Sequence, residues 1–592
     1  MPARAQSATR AQTQNEIVER QILPQLEGLF HKLIAEKRDI TIDGTRAFSG
    51  DDHFLPGKVA LGLAHVLINT PRSDPRFATY LAGYREIADL TVDDVNETWG
   101  VYYYMSALNK LRKASLLDEA IRPETLARLR QKLDWRPFVR VPEFTLVNLP
   151  TNYYGVAFSI ARLRMLMGWE DDAGSRRLLQ EIVDHYQQYS GEYGFSDETD
   201  GAGRFDRYSV LLIGEICERL IETDMPITPQ LKAWLRKSAD LVLANLNARG
   251  DGFSYGRSIG PYADTAFLEV LSASAYFDVL SPLERDMAYA FANRAVRKYA
   301  DFWYDPQMGS VNMWEKGRAT DAYRGKARIL GENFSLSDQL IKTNDVWNHL
   351  GYKNRAASEG FDAWLAGLRK TTLTWFAKGE YDRALVTYRD RAHVFSLPMV
   401  NGGPTYHSRN AYFPIPYSRG VVEDSPNAGY PQLLPKFSLT DGAELMPLAF
   451  MRGIALTKEG VSYSQDGLDR VGTNTPVKDV RMSVDVRYSF APGSIRRTDT
   501  YRPSSSLDVK QVSFEFGSFS EGAKVDGTRV TFGTGDVTEL SVEGLQSCRV
   551  EAPIASDIYR APHGAMKTRV VCTTSNVTLQ KPFTIAWTLK YR

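Results

Sequence analysis

The chain has 592 residues, 43% hydrophobic and 24% charged, a balance that allows two or more domains around a large core. Its 72 basic and 71 acidic residues leave a formal net charge of +1, which argues against a nucleic-acid protein, where a basic excess is usual. No stretch of 18 or more apolar residues exists, so no membrane-spanning helix is expected. The start, "MPARAQSATRAQTQNE", lacks the apolar core of a signal peptide. It resembles what such a peptide leaves behind, since "ARAQ" has the small-residue pattern of a cleavage end, and this points to a secreted or periplasmic protein. A cytoplasmic protein with a polar tail reads equally well from these residues. Residues 1–13 are expected as a flexible tail.

From 14 to 382 the apolar period is helical. "QNEIVERQILPQLEGLFHKLIAEK", "VALGLAHVLINT", "AGSRRLLQEIVDHYQQY", "RYSVLLIGEICERLIE" and "GFDAWLAGLRKTTLTWF" each carry apolar residues three and four apart. About a dozen such segments in hairpin order, with pairs recurring roughly every 50 residues, predict an α/α toroid. The loops on one side are long and hold aromatic, Arg and Gly residues, which favours ordered functional loops over linkers. From 383 to 592 the period becomes two, as in "VRMSVDVRYSF", "QVSFEFGSF" and "FTIAWTLKY", broken by Gly, Pro and Asp turns. Short strands without helices predict an antiparallel β-sandwich. Of three cysteines, Cys217 lies in a helical run and reads as a buried thiol, while Cys548 and Cys572 lie among the strands and can pair in an oxidising compartment.

Phosphate loops, His-Glu-x-x-His helices, paired metal cysteines and Gly-x-Ser-x-Gly elbows are all missing from the sequence. What it offers instead is a set of loop-to-helix junctions bearing phenols, guanidiniums and an amide. "NLPTNYYGVAFSIARLRMLMG" places Asn152, Tyr153 and Tyr154 at a helix mouth. "DGAGRFDRYSVLLIG" presents Arg204, Asp206, Arg207 and Tyr208, and "DGFSYGRSIGPYADTA" presents Tyr255, Arg257 and Tyr262. Each alone reads equally as a capped helix with an aromatic staple. In a toroid, though, alternate loops gather at one end. Two histidines stand out by company. His53 sits in "SGDDHFLPGK" among Asp51, Asp52 and Lys58, and His407 in "NGGPTYHSRNAYFPIPYSRG" among Arg409, Tyr412 and other polar-tipped rings that are costly to bury.

Elimination across C4–C5 of a uronic acid needs such groups. An amide, Arg or His must neutralise the carboxylate so that the C5 proton can leave, a phenolate or imidazole must take it, and a phenol can protonate the leaving oxygen. Cations beside a phenol favour its ionised form. A hydrolase would call for two facing carboxylates instead.

At these residues the chain resembles the heparinase II/III-type and related alginate lyases, polysaccharide lyases built as an incomplete α/α toroid followed by a β-sandwich. Asn152 opens one helix, and Tyr208 follows an Asp-Gly loop 56 residues downstream. The resemblance implies that Asn152 neutralises the substrate carboxylate, that Tyr208 acts as acid or as acid and base, and that His407 reaches over the cleft from the sandwich. Tyr153, Arg204, Arg207, Tyr255, Arg257, Tyr262, Arg409, Tyr412 and His53 are then candidates for binding an anionic polysaccharide. Two departures leave base and polymer open. "TYHSRNAYFP" replaces a His-rich stretch, and Tyr153 stands where several relatives have His or Trp. No cofactor is required; a structural divalent cation is compatible with the family, but no ligand cluster assigns one. Two alternatives remain. A glycoside hydrolase on the same scaffold would draw its acid from Asp197, Glu198, Asp200 or Asp206, and a non-catalytic glycan-binding protein would need none.

Overall fold

The structure, a computed structural model, describes residues 12–317, 324–401, 412–423, 431–472, 476–553, 560–561 and 564–592. The first half is helical. Six helices, Leu55–Asn69, Thr98–Lys113, Tyr153–Leu166, Arg207–Glu222, Pro261–Tyr276 and Ile329–His349, pack side by side in chain order, and the last returns to the first. The inner ring, expected as incomplete, therefore closes. The closure depends on Gly62, where a Cβ would collide with the Phe334 ring.

Burial distinguishes inner from outer helices. Every residue from Leu55 to Leu67 is buried, as in a helix covered on all sides. The outer helix Ala173–Tyr189 buries only Ser175, Leu178, Ile182, His185 and Tyr186, a stripe at three- and four-residue spacing. Helix starts follow local chemistry. Ser281 and Glu284 form a capping box ahead of Pro282–Lys298, and the Thr228 hydroxyl accepts the Leu231 N–H.

The strand-rich half starts earlier than 383. The helical period extends through "TTLTWF" in sequence, but the helix stops at Gly367, and Thr371–Ala377 is a strand paired with Arg383–Asp390, which pairs in turn with His393–Met399. β-branched threonines favour strand over helix. This three-stranded sheet bridges the halves. The Phe376 carbonyl accepts from Ser190 Oγ at 2.5 Å, the Arg389 guanidinium donates to the Leu246 carbonyl at 2.6 Å, and the Tyr591 hydroxyl donates to Asp390 at 2.9 Å.

Beyond it lie two antiparallel sheets of seven and eight strands, a sandwich. Met482–Ala491 shows the expected alternation, with Met482, Val484, Val486 and Tyr488 buried on one face. In the seven-stranded sheet Cys548 sits directly opposite Cys572 in the register, and the two form a disulfide; Cys217 is a buried free thiol. Among the described residues no helix is long and apolar enough to cross a membrane, and no group of three His, Cys, Asp or Glu is disposed to hold a metal ion.

Candidate active site

The starts of the inner helices gather at one mouth of the toroid around a cleft of about 270 Å³. Asn152, Tyr153, Arg207, Tyr208, Arg257 and Tyr262 all line it, so the three junctions meet.

Asn152 immediately precedes the Tyr153–Leu166 helix but does not cap it. Its backbone is already helical, its side chain makes no capping bond, and its Oδ1 is buried without a hydrogen-bond partner among the described residues. No internal hydrogen bond of that oxygen fixes which way the amide faces, so it can turn its NH2 toward the cleft. Tyr153 is half-buried beside Trp99, ring centroids 6.5 Å apart.

Tyr208 opens the next inner helix. Asp206 caps that helix by accepting the Tyr208 N–H at 2.8 Å. The Tyr208 hydroxyl donates to Ser258 Oγ at 3.2 Å, and its ring lies between two guanidiniums, Arg207 at 4.3 Å and Arg257 at 4.5 Å. The loop that delivers Arg257 is held in place by left-handed backbone at Gly256, Ser258 and Gly260. Gly256 is fixed by contact as well as by φ, because a Cβ there would press on the Asp206 side chain.

Carboxylates hold this wall from behind. Arg257 pairs with Glu198 and stands 3.2 Å from Asp206. Burial pushes the Glu198 carboxyl up against the pull of Arg257. Across the cleft Lys58 is buried between Asp52 at 3.1 Å and Glu332 at 3.0 Å. Burial raises Glu332, but Lys58 and Arg324 more than offset it, and its pKa falls to about 2. Tyr262 donates to Glu332 and contacts Ser335 Oγ at 2.6 Å; burial, then the Glu332 charge, pushes its phenol well up.

Other candidates lie elsewhere. Tyr255 is wholly buried behind the cleft with an unpartnered hydroxyl, because its ring packs in the core against Phe253. Tyr412 is buried too, and donates to Asp206 instead of facing a ligand. Arg204 does not line the cleft; its guanidinium stands 5.6 Å over the Tyr412 ring. His53 is half-exposed outside the cleft, 3.2 Å from a Glu97 oxygen. His407 and Arg409 lie outside the described residues. The possible hydrolytic acids are committed to other bonds or solvent. Asp197 accepts from Thr199 and Gly203, Glu198 and Asp206 hold Arg257, and Asp200 stands exposed.

The residues not foreseen include Trp99, Tyr103, Glu215, Arg324 and Arg328. Glu215 is the carboxyl that lines the cleft, two turns below Tyr208 on the same helix, a spacing readable in advance. Burial and then Glu269 raise its pKa to about 8. Arg324 and Arg328 come from a distant loop and carry no local signal.

No protein-family model matches the chain, and no curated protein matches it in sequence. Its fold is similar to solved structures. One is the Streptomyces coelicolor A3 chondroitin AC lyase in complex with chondroitin sulphate, 12% identical with a TM-score of 0.51, covering 96% of this chain and 79% of that one. Another is a Paenibacillus xanthan lyase, 9% identical with a TM-score of 0.53, covering 97% of this chain and 56% of that one. At such identities the likeness is one of fold.

Proposed function

We propose that the chain is a secreted or periplasmic polysaccharide lyase that cleaves a uronic-acid-containing glycan by β-elimination. The observation that carries the reading is the buried, unpaired Asn152 amide in the same cleft as Tyr208 and its two guanidiniums. An amide can turn its NH2 toward a carboxylate, and that contact strengthens as the C5 proton leaves and charge builds on the carboxylate oxygens. Arg207 and Arg257 oppose the same charge. The C5–H electrons become the C4–C5 double bond, the C4–O bond breaks, and the leaving oxygen takes a proton. Tyr208 is assigned to proton transfer, as acid or as acid and base, with His407 the other candidate base.

The likeness of fold to chondroitin AC and xanthan lyases supports the class. So does the cationic lining of the cleft, where Lys58, Arg207, Arg257, Arg324 and Arg328 suit an acidic glycan. The test is ultraviolet absorbance of the unsaturated product, using wild type and Tyr208→Phe on a panel of uronate polysaccharides. A rise with wild type that the variant loses is expected. New reducing ends without absorbance would transfer the assignment to the hydrolase.

A further inference from the structure

The sequence put Tyr412 among ligand-facing groups, yet the structure buries it to 1% exposure against the acid that begins the Tyr208 helix. We propose that Tyr412 is a positioning residue, through which the strand-rich half holds Asp206 and Arg257 and so fixes the Tyr208 ring; the inference rests on the lyase reading above.

The wholly buried Asp206 carboxylate has partners on several sides, the Ser209 N–H of its capping box among them. Oδ1 accepts the Tyr208 N–H at 2.8 Å, while Oδ2 accepts the Tyr412 hydroxyl at 2.9 Å and lies 3.2 Å from Arg257 Nε. Arg257 in turn pairs with Glu198 and covers the Tyr208 ring at 4.5 Å. Burial, and then the Asp206 charge, pushes the Tyr412 phenol well up, so it stays a donor. A second hold on the same loop comes from Asn401, whose N–H donates to the Gly203 carbonyl at 3.1 Å and whose Nδ2 donates to the Ala202 carbonyl at 2.7 Å. Two residues of the strand-rich half thus pin the segment that runs from Ala202 to Tyr208. A buried carboxylate with several fixed partners has little freedom, and proton transfer depends steeply on sub-ångström placement.

Tyr412→Phe in the full chain keeps the ring and removes the hydroxyl. A lost hydrogen bond to a charged group predicts a fall in kcat of about tenfold. KM should stay within about twofold, since the phenol meets no substrate. Combined with Asp206→Asn, the loss should not add, because both changes break one link. Amide hydrogen exchange of the Tyr208 N–H should speed up severalfold in Tyr412→Phe, a readout independent of catalysis. Unchanged exchange, unchanged kcat, additive losses or a raised KM at normal kcat would each overturn the proposal. Should Tyr412→Phe not fold, Asn401→Ala tests the same hold, with lowered kcat at constant KM expected and wild-type kcat contradicting it. A wild type that forms no unsaturated product would sink the lyase reading, while exchange at Tyr208 would still decide the positioning.

Discussion

Replacing Asn152 by alanine separates a structural amide from a ligand-holding one. Asn152 is 3% exposed at the head of an inner helix, yet its side chain caps nothing and its Oδ1 has no partner among the described residues. A capping Asn lost to Ala costs about 1 kcal/mol. No such bond exists here, so stability should change by less than about 0.5 kcal/mol, or rise slightly as an unsatisfied buried group disappears. Activity should respond far more. Losing a group that neutralises transition-state charge costs about a hundred- to a thousandfold in kcat, or about 2.7–4 kcal/mol. Asn152→Asp should fall further, since it sets one negative charge against another. Denaturant midpoints and the rate of unsaturated-product formation measure the two effects. A stability loss of about 1 kcal/mol with the rate intact would refute the assignment and restore the capping role.

Lys58→Met should destabilise the toroid by about 3–5 kcal/mol, because Asp52 and Glu332 would remain buried without their cation; a shift in the denaturant midpoint worth under about 1 kcal/mol would contradict this. Glu215 has a folded pKa raised to about 8, so its unfolded form ionises first, and stability should fall as pH rises from about 4.3 to about 8, then level off. Glu269, Lys342, Arg207 and Glu198 face the group and set this value. Glu215→Gln should flatten that slope in midpoints measured across the range, and an unchanged slope would place the titration elsewhere. Tyr255→Phe should leave turnover at the wild-type level and stability within about 0.5 kcal/mol, since the hydroxyl it removes has no partner; a collapse in turnover would return Tyr255 to the chemistry.

Periodicity made the two halves legible, because a helix and a strand repeat differently whatever packs on them. It could not show that "TTLTWF" leaves the helix at Gly367, since Leu373 and Trp375 fit either period over so short a run. Nor could it show ring closure, which turns on one glycine meeting Phe334 from a helix far along the chain. The junction residues were readable because loop-to-helix starts in a toroid share one end. Their burial was not. Tyr208, Tyr255, Tyr262 and Tyr412 look alike in sequence, yet Tyr255 and Tyr412 turn inward and only two of the four line the cleft.

Charge distribution, invisible in a net charge of +1, is what the proposed anionic substrate would meet. Five cations line the cleft: Lys58, Arg207, Arg257, Arg324 and Arg328. Glu332 answers Lys58 and Arg324, and Glu198 with Asp206 answers Arg257. Arg207 forms no salt bridge among the described residues, donating to the Tyr262 carbonyl at 2.7 Å and lying over the Tyr208 ring. Arg328 stands over the Phe54 ring at 5.4 Å, also without a paired carboxylate among the described residues. Glu215, with its pKa at about 8, is largely protonated at neutral pH and adds little negative charge. Two guanidiniums therefore keep their charge for whatever enters, beside an amide with no internal partner. That combination suits a carboxylate-bearing polymer better than a neutral glycan, for which buried cations would be desolvated without return.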